Sequence, residues 1–360
     1  MQISRLILRR FRNLRDVELL PAGGFNVLWG DNAQGKTNIL EAIYLLGNLK
    51  SFRGSKNEEM VGSEAESCRI LAETDSRQGQ RQLELTIAKQ GRKVRVDAKD
   101  VRRPDQYFGI LQTVLFAPEE IGIAKGSPAG RRALLDRGIF QTNTAFLHLA
   151  RDFERHLRQR NRLLREQCTV SELLPWNEGF IRSGAKLRRE RYRYVQRLLP
   201  VLRETYRRIS GGVEEADITY AAGGEDEKQL VTEMTAEVNK VSEREKRLGQ
   251  SLAGPQRDDA EFLVNGVSLR MYGSQGQQRS FILAFKAAQL IDIENTTGEK
   301  PILLLDDMTS ELDNKRQTVF FQYLNERQGQ VFITTTDSAP LLTEKMPQAK
   351  FFCIEKGNIA

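Results

Sequence analysis

The chain has 360 residues, 39% of them hydrophobic and 29% charged, with a formal net charge of +7 and a pI of about 9.3. This composition predicts a globular protein with one large domain and a second lobe, and its basic balance favours a polyanionic partner. Apolar runs such as Ile302–Leu305 fall far short of the ~20 residues a membrane helix needs, and Met1-Gln2-Ile3-Ser4-Arg5 enters an alternating pattern without a signal-peptide core; the chain reads as cytoplasmic, with no membrane partner.

The first 30 residues alternate as short strands: Ile3, Leu6 and Leu8, then Val17 and Leu19, then Phe25, Val27 and Leu28. A helical pattern follows at Asn38–Leu46 and ends near Gly47. Residues 68–97 alternate again, with Ile70 and Ala72, Leu83, Leu85 and Ile87, and Val94 and Val96, as in an antiparallel meander. Thr113-Val114-Leu115-Phe116-Ala117-Pro118 reads as a buried strand stopped by proline.

From about 129 to 210 the sequence is helical and Arg-rich, with breaks expected at Pro175-Trp176 and Pro200, and with His148 and His156 expected on solvated faces. Gly211-Gly212 and Gly223-Gly224 mark its exit, and a helix follows at about 228–247. After Gly254-Pro255 an α/β pattern returns: a hairpin at Asn265-Gly266, a helix after Gly276, a strand at 302–305, a helix at about 314–326 and a strand at 331–335. The simplest organisation is an α/β nucleotide-binding domain split between 1–128 and 250–360, with a helical lobe at 129–249. Cys68, Cys168 and Cys353 lie far apart with no Cys-x-x-Cys pair, which predicts neither a disulfide framework nor a zinc site.

Gly30-Asp31-Asn32-Ala33-Gln34-Gly35-Lys36-Thr37 matches G-x-x-x-x-G-K-[ST] between a strand and a helix. The glycines let the loop curl so that backbone N–H groups face phosphates, and the helix N-terminus adds positive potential. Lys36 is expected to reach the β- and γ-phosphates of ATP, and Thr37 to offer its hydroxyl to Mg²⁺. Far along the chain, the apolar run Ile302–Leu305 ends in Asp306-Asp307.

The order of further segments resembles ATP-binding cassettes. Ser274-Gln275-Gly276-Gln277 looks like their signature, Ile302–Asp307 like their Walker B strand, and Ser310-Glu311-Leu312-Asp313 like their D-loop. Within that superfamily the chain resembles the RecF family of DNA-repair ATPases. The resemblance rests on Phe11-Arg12-Asn13, Ala117-Pro118-Glu119, Gly126-Ser127-Pro128 with Arg131-Arg132, Gly254-Pro255-Gln256-Arg257-Asp258-Asp259 and Phe332–Asp337, and it spans essentially the whole chain. The insertion has no room for the long coiled coil of the SMC proteins. Departures are Gln256 where the family usually has histidine, Thr336 where transporter cassettes carry a switch histidine, Asp307 in place of the usual glutamate, and no clear Q-loop glutamine.

The resemblance implies an ABC-type P-loop ATPase with a mixed, largely parallel sheet and a helical insertion lobe. Gly30, Asp31, Asn32, Ala33, Gln34, Gly35, Lys36 and Thr37 would hold ATP; Ser274, Gly276, Gln277 and Asp313 would close the site of a second copy in an ATP-dependent homodimer; Thr336 would stand at the switch position. Asp306 would join Thr37 on Mg²⁺, and Asp307 would activate water. Its side chain is shorter than glutamate, which suits slow hydrolysis in a switch.

Arg151–Glu166 carries six arginines, and Lys186–Arg208 carries nine basic residues against two glutamates. Arginine rows on fixed helices suit phosphate contacts, which makes Arg151, Arg155, Arg158, Arg162, Arg165, Arg188 and Arg189 candidates for single- and double-stranded DNA. The resemblance implies work at gaps and stalled forks in repair, recombination, replication restart and the SOS response, with RecR and RecO as partners and RecA loading as the outcome. A transport ATPase and the ATPase head of an overcoming-lysogenization-type nuclease are the alternatives.

Overall fold

The structure is a computed structural model that describes residues 1–103, 106–307, 314–336, 346 and 348–359. The chain divides into two units, Met1–Ile121 with Gln289–Ala360, and Gly122–Ala288.

The first unit holds two six-stranded sheets. One runs β2(Leu14–Leu19), β1(Gln2–Phe11), β4(Ser67–Ser76), β5(Gly79–Ala88), β6(Gly91–Val96) and β7(Lys99–Asp100), all antiparallel. Alternation puts Leu6, Leu8, Ile70, Ala72, Leu83, Leu85 and Ile87 on the buried face. On the other face Arg5 pairs with Glu18 and Glu73, Arg9 with Asp16, and Arg69 with Glu84, the cross-strand pairing that a solvated sheet face favours.

The other sheet runs β15(Asn358–Ile359), β14(Lys350–Glu355), β3(Phe25–Trp29), β13(Val331–Thr335), β12(Ile302–Leu305) and β8(Thr113–Phe116). The five strands from β14 to β8 are parallel, so their carboxyl ends share one edge, where ligands of open α/β sheets bind. Helix α1(Lys36–Asn48) packs against both sheets, with ten of its thirteen residues buried, Ile39, Leu40, Ile43 and Leu46 among them. A single turn, α2(Asn57–Met60), follows it.

Helix α3(Pro118–Lys125) crosses into the second unit, which contains α4(Pro128–Thr142), α5(Phe146–Arg165), α6(Val170–Ser210), α7(Glu227–Leu248), a three-stranded sheet β11(Val267–Ser268), β10(Glu261–Val264) and β9(Ala216–Thr219), the short α8(Leu269–Tyr272), and the start of α9(Gln275–Thr297). The Asn265-Gly266 hairpin is present, both residues having positive φ. The division departs from the expected 1–128, 129–249 and 250–360. Strand β10 pairs with β9, and the carboxylates of loop 254–259 bind arginines of α4 and α6, so residues 250–288 fold with the helices.

The expected breaks at Pro175 and Pro200 are absent: α6 runs 41 residues through both. Each proline removes one intrahelical bond, a cost of about 3 kcal/mol. Burial of Phe180, Leu187, Tyr194, Leu198, Leu202 and Tyr206 along one stripe outweighs it. His156 is half-buried, with its ring nitrogen 3.1 Å from Ser183 Oγ and its ring edge-on to Trp176, whereas His148 is exposed as expected. Among the described residues, no helix is long and apolar enough to cross a membrane.

Candidate functional site

The loop 30–35 leaves the carboxyl end of β3 and enters α1. Gly30 has φ 141° and Gly35 φ 116°, values that L side chains rarely adopt. A Cβ on Gly30 would strike the Ile354 carbonyl, and one on Gly35 would lie 2.7 Å from Leu14. The loop is braced from outside: Asn13 Nδ2 donates to the Ala33 carbonyl at 3.2 Å, and the β14–β15 turn donates from Lys356 N to Gln34 Oε1 at 2.6 Å and from Gly357 N to the Gln34 carbonyl at 3.1 Å.

No backbone N–H of residues 31–35 donates a hydrogen bond to another described residue. Helix α1 has no side-chain cap and no acidic residue in its first turn. An uncapped helix start behind a curled loop of N–H donors is a seat for an anion.

Lys36 is 8% exposed, and its ammonium donates to the carbonyls of Gly30 and Asp31. Burial pulls its pKa below the ordinary lysine value, while Asp307, Asp31 and Asp306 oppose that shift. Thr37 Oγ1 donates to Asp306 Oδ1 at 2.8 Å. Asp306 is 6% exposed, and burial raises its carboxyl above the usual range against the hydrogen bonds from Thr334 and Thr37. Asp307 is exposed, and its backbone has φ 49°.

Sequence reasoning missed Thr334. Strand β13 lies between β3 and β12, and the register Leu305↔Ile333 sets Thr334 beside the two aspartates. Its Oγ1 donates to Asp306 Oδ1 at 2.7 Å and accepts the Asp307 N–H at 2.9 Å. The available signal was a hydroxyl where an apolar strand ends. Thr336, the expected switch position, lies just past β13 and is exposed. Asp313, with the rest of the D-loop segment, lies outside the described residues.

In the second unit, Ser274 and Gln277 form a reciprocal cap at the start of α9. Gln277 N donates to Ser274 Oγ at 3.1 Å, and Ser274 N donates to Gln277 Oε1 at 2.9 Å. This is the geometry of a capping box, and Gly276 sits in the turn it closes.

The arginine candidates separate. Arg151, Arg155, Arg158, Arg162 and Arg165 are all exposed on α5 at spacings of four and three, forming one stripe. Arg155, Arg158 and Arg162 form local, exposed ion pairs with Asp152, Glu154 and Glu166. Arg188 and Arg189 do not belong with them. Arg188 is 3% exposed and bound by Asp258 and Glu237, and Arg189 is half-buried against Glu227 and Glu190. Both side chains are engaged by carboxylates of neighbouring segments, and Arg188 is withdrawn from solvent altogether. Arg160, within the same basic stretch as the stripe, is likewise buried against Glu245, Ser251 and Asn177.

The RecF/RecN/SMC N terminal domain family matches residues 2–355 of the chain. The DNA replication and repair protein RecF of Syntrophotalea carbinolica is 48% identical over 360 residues, covering 100% of this chain and 99% of the relative. Among solved structures, "Structure of the recombination mediator protein RecF-ATPrS in RecFOR pathway" aligns with a TM-score of 0.89 at 30% identity, over 99% of this chain and 97% of that one. An Smc head domain structure with a bound ScpA domain, from Pyrococcus furiosus, aligns with a TM-score of 0.60 at 15% identity, over 99% of this chain and 94% of that one, and shares the fold. The fold is that of an ABC-type ATPase.

Proposed function

The chain belongs to the RecF family, and on that premise we propose that it is an ATP-gated, DNA-binding protein of recombinational repair and replication restart. The observation that carries this reading is the meeting, at one sheet edge, of an anion-seating loop, the Lys36 ammonium and the Thr37–Asp306 pair. The ATP-bound RecF structures that the chain resembles support ATP as the occupant.

The loop N–H groups and Lys36 bind the phosphates. The Thr37 hydroxyl and the Asp306 carboxylate are hard oxygen donors and fit Mg²⁺, which usually takes few protein ligands and keeps phosphate and water for the rest; among the described residues, no cluster of three His, Cys, Asp or Glu side chains competes for it. Bound there, the ion would neutralise charge on the phosphates. Asp307 orients and deprotonates water, and Thr334 fixes the backbone from which it projects. Ser274, Gly276 and Gln277 close the site of a second copy, with Asp313 at the seam and Thr336 at the switch position. ATP then holds a homodimer together, and slow hydrolysis releases it.

The α5 stripe supplies phosphate contacts to single- and double-stranded DNA, and RecR and RecO join the protein to promote RecA loading in the cytoplasm. The transport-ATPase and nuclease-head alternatives gain no support from the family match.

Two experiments test the two halves of this reading. Reversing charge at Arg158, Arg162 and Arg165 is expected to weaken DNA binding, leave ATP binding unchanged and lower the log–log salt slope on duplex by up to about 0.9 per lost contact. An unchanged slope would place these arginines outside the DNA surface. Thr334→Val keeps the shape but removes both hydrogen bonds of the hydroxyl. It is expected to slow single-turnover hydrolysis about tenfold or more, as for a lost hydrogen bond to a buried charged group, while Thr334→Ser stays near native. Native turnover in Thr334→Val would remove Thr334 from the mechanism.

A further inference from the structure

Helix α6 ends at Gly211, which has φ 74°. Four residues beyond Ser210, the half-buried Glu214 lies between the last turn of α6 and the first turn of α9. Its Oε2 accepts from the buried Tyr206 hydroxyl at 2.8 Å, and its Oε1 accepts from Gln277 Nε2 at 2.8 Å. With the Ser274–Gln277 cap this makes one continuous chain of hydrogen bonds: Tyr206, Glu214, Gln277, Ser274. A second contact follows the same route. The Tyr206 ring lies 6.3 Å from that of Phe281 on α9, and Phe281 stacks on Phe262 at 4.8 Å.

The chemistry of the chain is directional. A carboxylate only accepts, so Glu214 draws the NH₂ group of Gln277 toward itself and turns the amide oxygen to the Ser274 N–H. In the opposite amide orientation, Glu214 would face an oxygen and the Ser274 N–H would face a donor. The Ser274 oxygen is occupied by the Gln277 N–H, which leaves its O–H proton to donate outward. One side chain from the end of α6 thus decides how the exposed Ser274-Gln275-Gly276-Gln277 turn is presented.

We propose that Glu214 is the positioning residue of the signature segment, setting the Gln277 amide and tying the Ser274 turn to the C-terminal end of α6. The proposal rests on the reading that Ser274 completes a second copy's nucleotide site. It implies that a shift near the C-terminal end of α6 reaches Ser274 through three hydrogen-bonded links, so the helical lobe and nucleotide closure are linked.

The test compares Glu214→Ala, Glu214→Gln and Ser274→Arg in the full-length chain, measuring ATP affinity of the monomer, ATP-dependent dimerisation by sedimentation, and kcat against KM for ATP. In Glu214→Ala, monomer ATP affinity and KM stay native while dimerisation weakens about tenfold and kcat falls with it, as expected for losing hydrogen bonds to a charged group. Glu214→Gln can still accept from Gln277 and donate to the Tyr206 oxygen, so it recovers dimerisation to within about twofold. A fold defect would lower ATP affinity too. Should Glu214→Ala not fold, Tyr206→Phe replaces it: it removes a hydrogen bond to Glu214 but keeps the ring contact with Phe281, and it must weaken dimerisation with monomer ATP affinity native. If Glu214→Ala dimerises and turns over like the native chain while Ser274→Arg does neither, the proposal falls and the cassette reading stands. If Ser274→Arg also behaves natively, the reading beneath it falls and takes the proposal with it.

Discussion

Replacing Lys36 with alanine is expected to abolish tight ATP binding and turnover while leaving the protein folded. The ammonium is held at the mouth of the phosphate loop by the Gly30 and Asp31 carbonyls and is largely withdrawn from water. A phosphate arriving there meets a charge already desolvated and aimed, so little further reorganisation is needed. Losing one such charge-assisted contact costs about 1.5–3 kcal/mol, roughly ten- to hundredfold in affinity. On the proposed reading Lys36 also contacts the γ-phosphate, whose charge redistributes during transfer, so turnover is expected to fall further than binding. A fluorescent-nucleotide titration and a steady-state phosphate-release assay measure the two effects. Native ATP affinity in Lys36→Ala would mean that this loop does not hold the nucleotide.

Ser274→Arg is expected to act at the opposite end of the nucleotide cycle. The phosphate loop and its braces from Asn13, Lys356 and Gly357 belong to the first unit, whereas Ser274 caps α9 in the second. Monomer ATP binding therefore stays near native. The substitution removes an N-cap acceptor, a loss of about 1 kcal/mol that a 23-residue helix with a buried Phe281–Phe285 face tolerates. It also puts a long cation where the proposed dimer requires a small hydroxyl against a phosphate. ATP-dependent dimerisation and hydrolysis should be lost together.

The phosphate loop was legible because its chemistry requires particular residues at particular spacings: glycines at φ values that only glycine adopts easily, a lysine at the helix start and a hydroxyl beside it. The antiparallel strands β1, β2, β4, β5 and β6 were legible from period-two alternation, β3, β8, β12 and β13 from short apolar runs, and the Asn265-Gly266 hairpin from turn chemistry, whereas β14 and β15 were not read. What could not be read were matters of tertiary context. Local rules place breaks at Pro175 and Pro200, but burial along both sides of those prolines keeps α6 continuous. A basic run looks uniform in sequence. Only packing shows that Arg155, Arg158 and Arg162 point to water while Arg160 and Arg188 sit beside Glu245 and Asp258. Buried guanidinium–carboxylate pairs are costly to form and costly to break, and no local signal announces the partner. The same limit hid Thr334, whose part depends on β13 inserting between β3 and β12. It also misplaced residues 250–288, which follow their pairing to β9 and their arginine partners rather than their position in the chain.

The claim that ATP is closed between two copies is tested most directly by sedimentation velocity on Lys36→Ala, Ser274→Arg and an equimolar mixture of the two, each with saturating ATP and Mg²⁺. Each variant alone should sediment as a monomer, because each homodimer would carry two damaged sites. In the mixture, one heterodimer arrangement holds one wholly native site, with native Lys36 from one copy and native Ser274 from the other, and one doubly damaged site. A dimer boundary should therefore return on mixing, in part and only with ATP. A mixture that stays monomeric while the native chain dimerises with ATP, or a Ser274→Arg protein that dimerises by itself, would contradict a nucleotide site completed by the second copy.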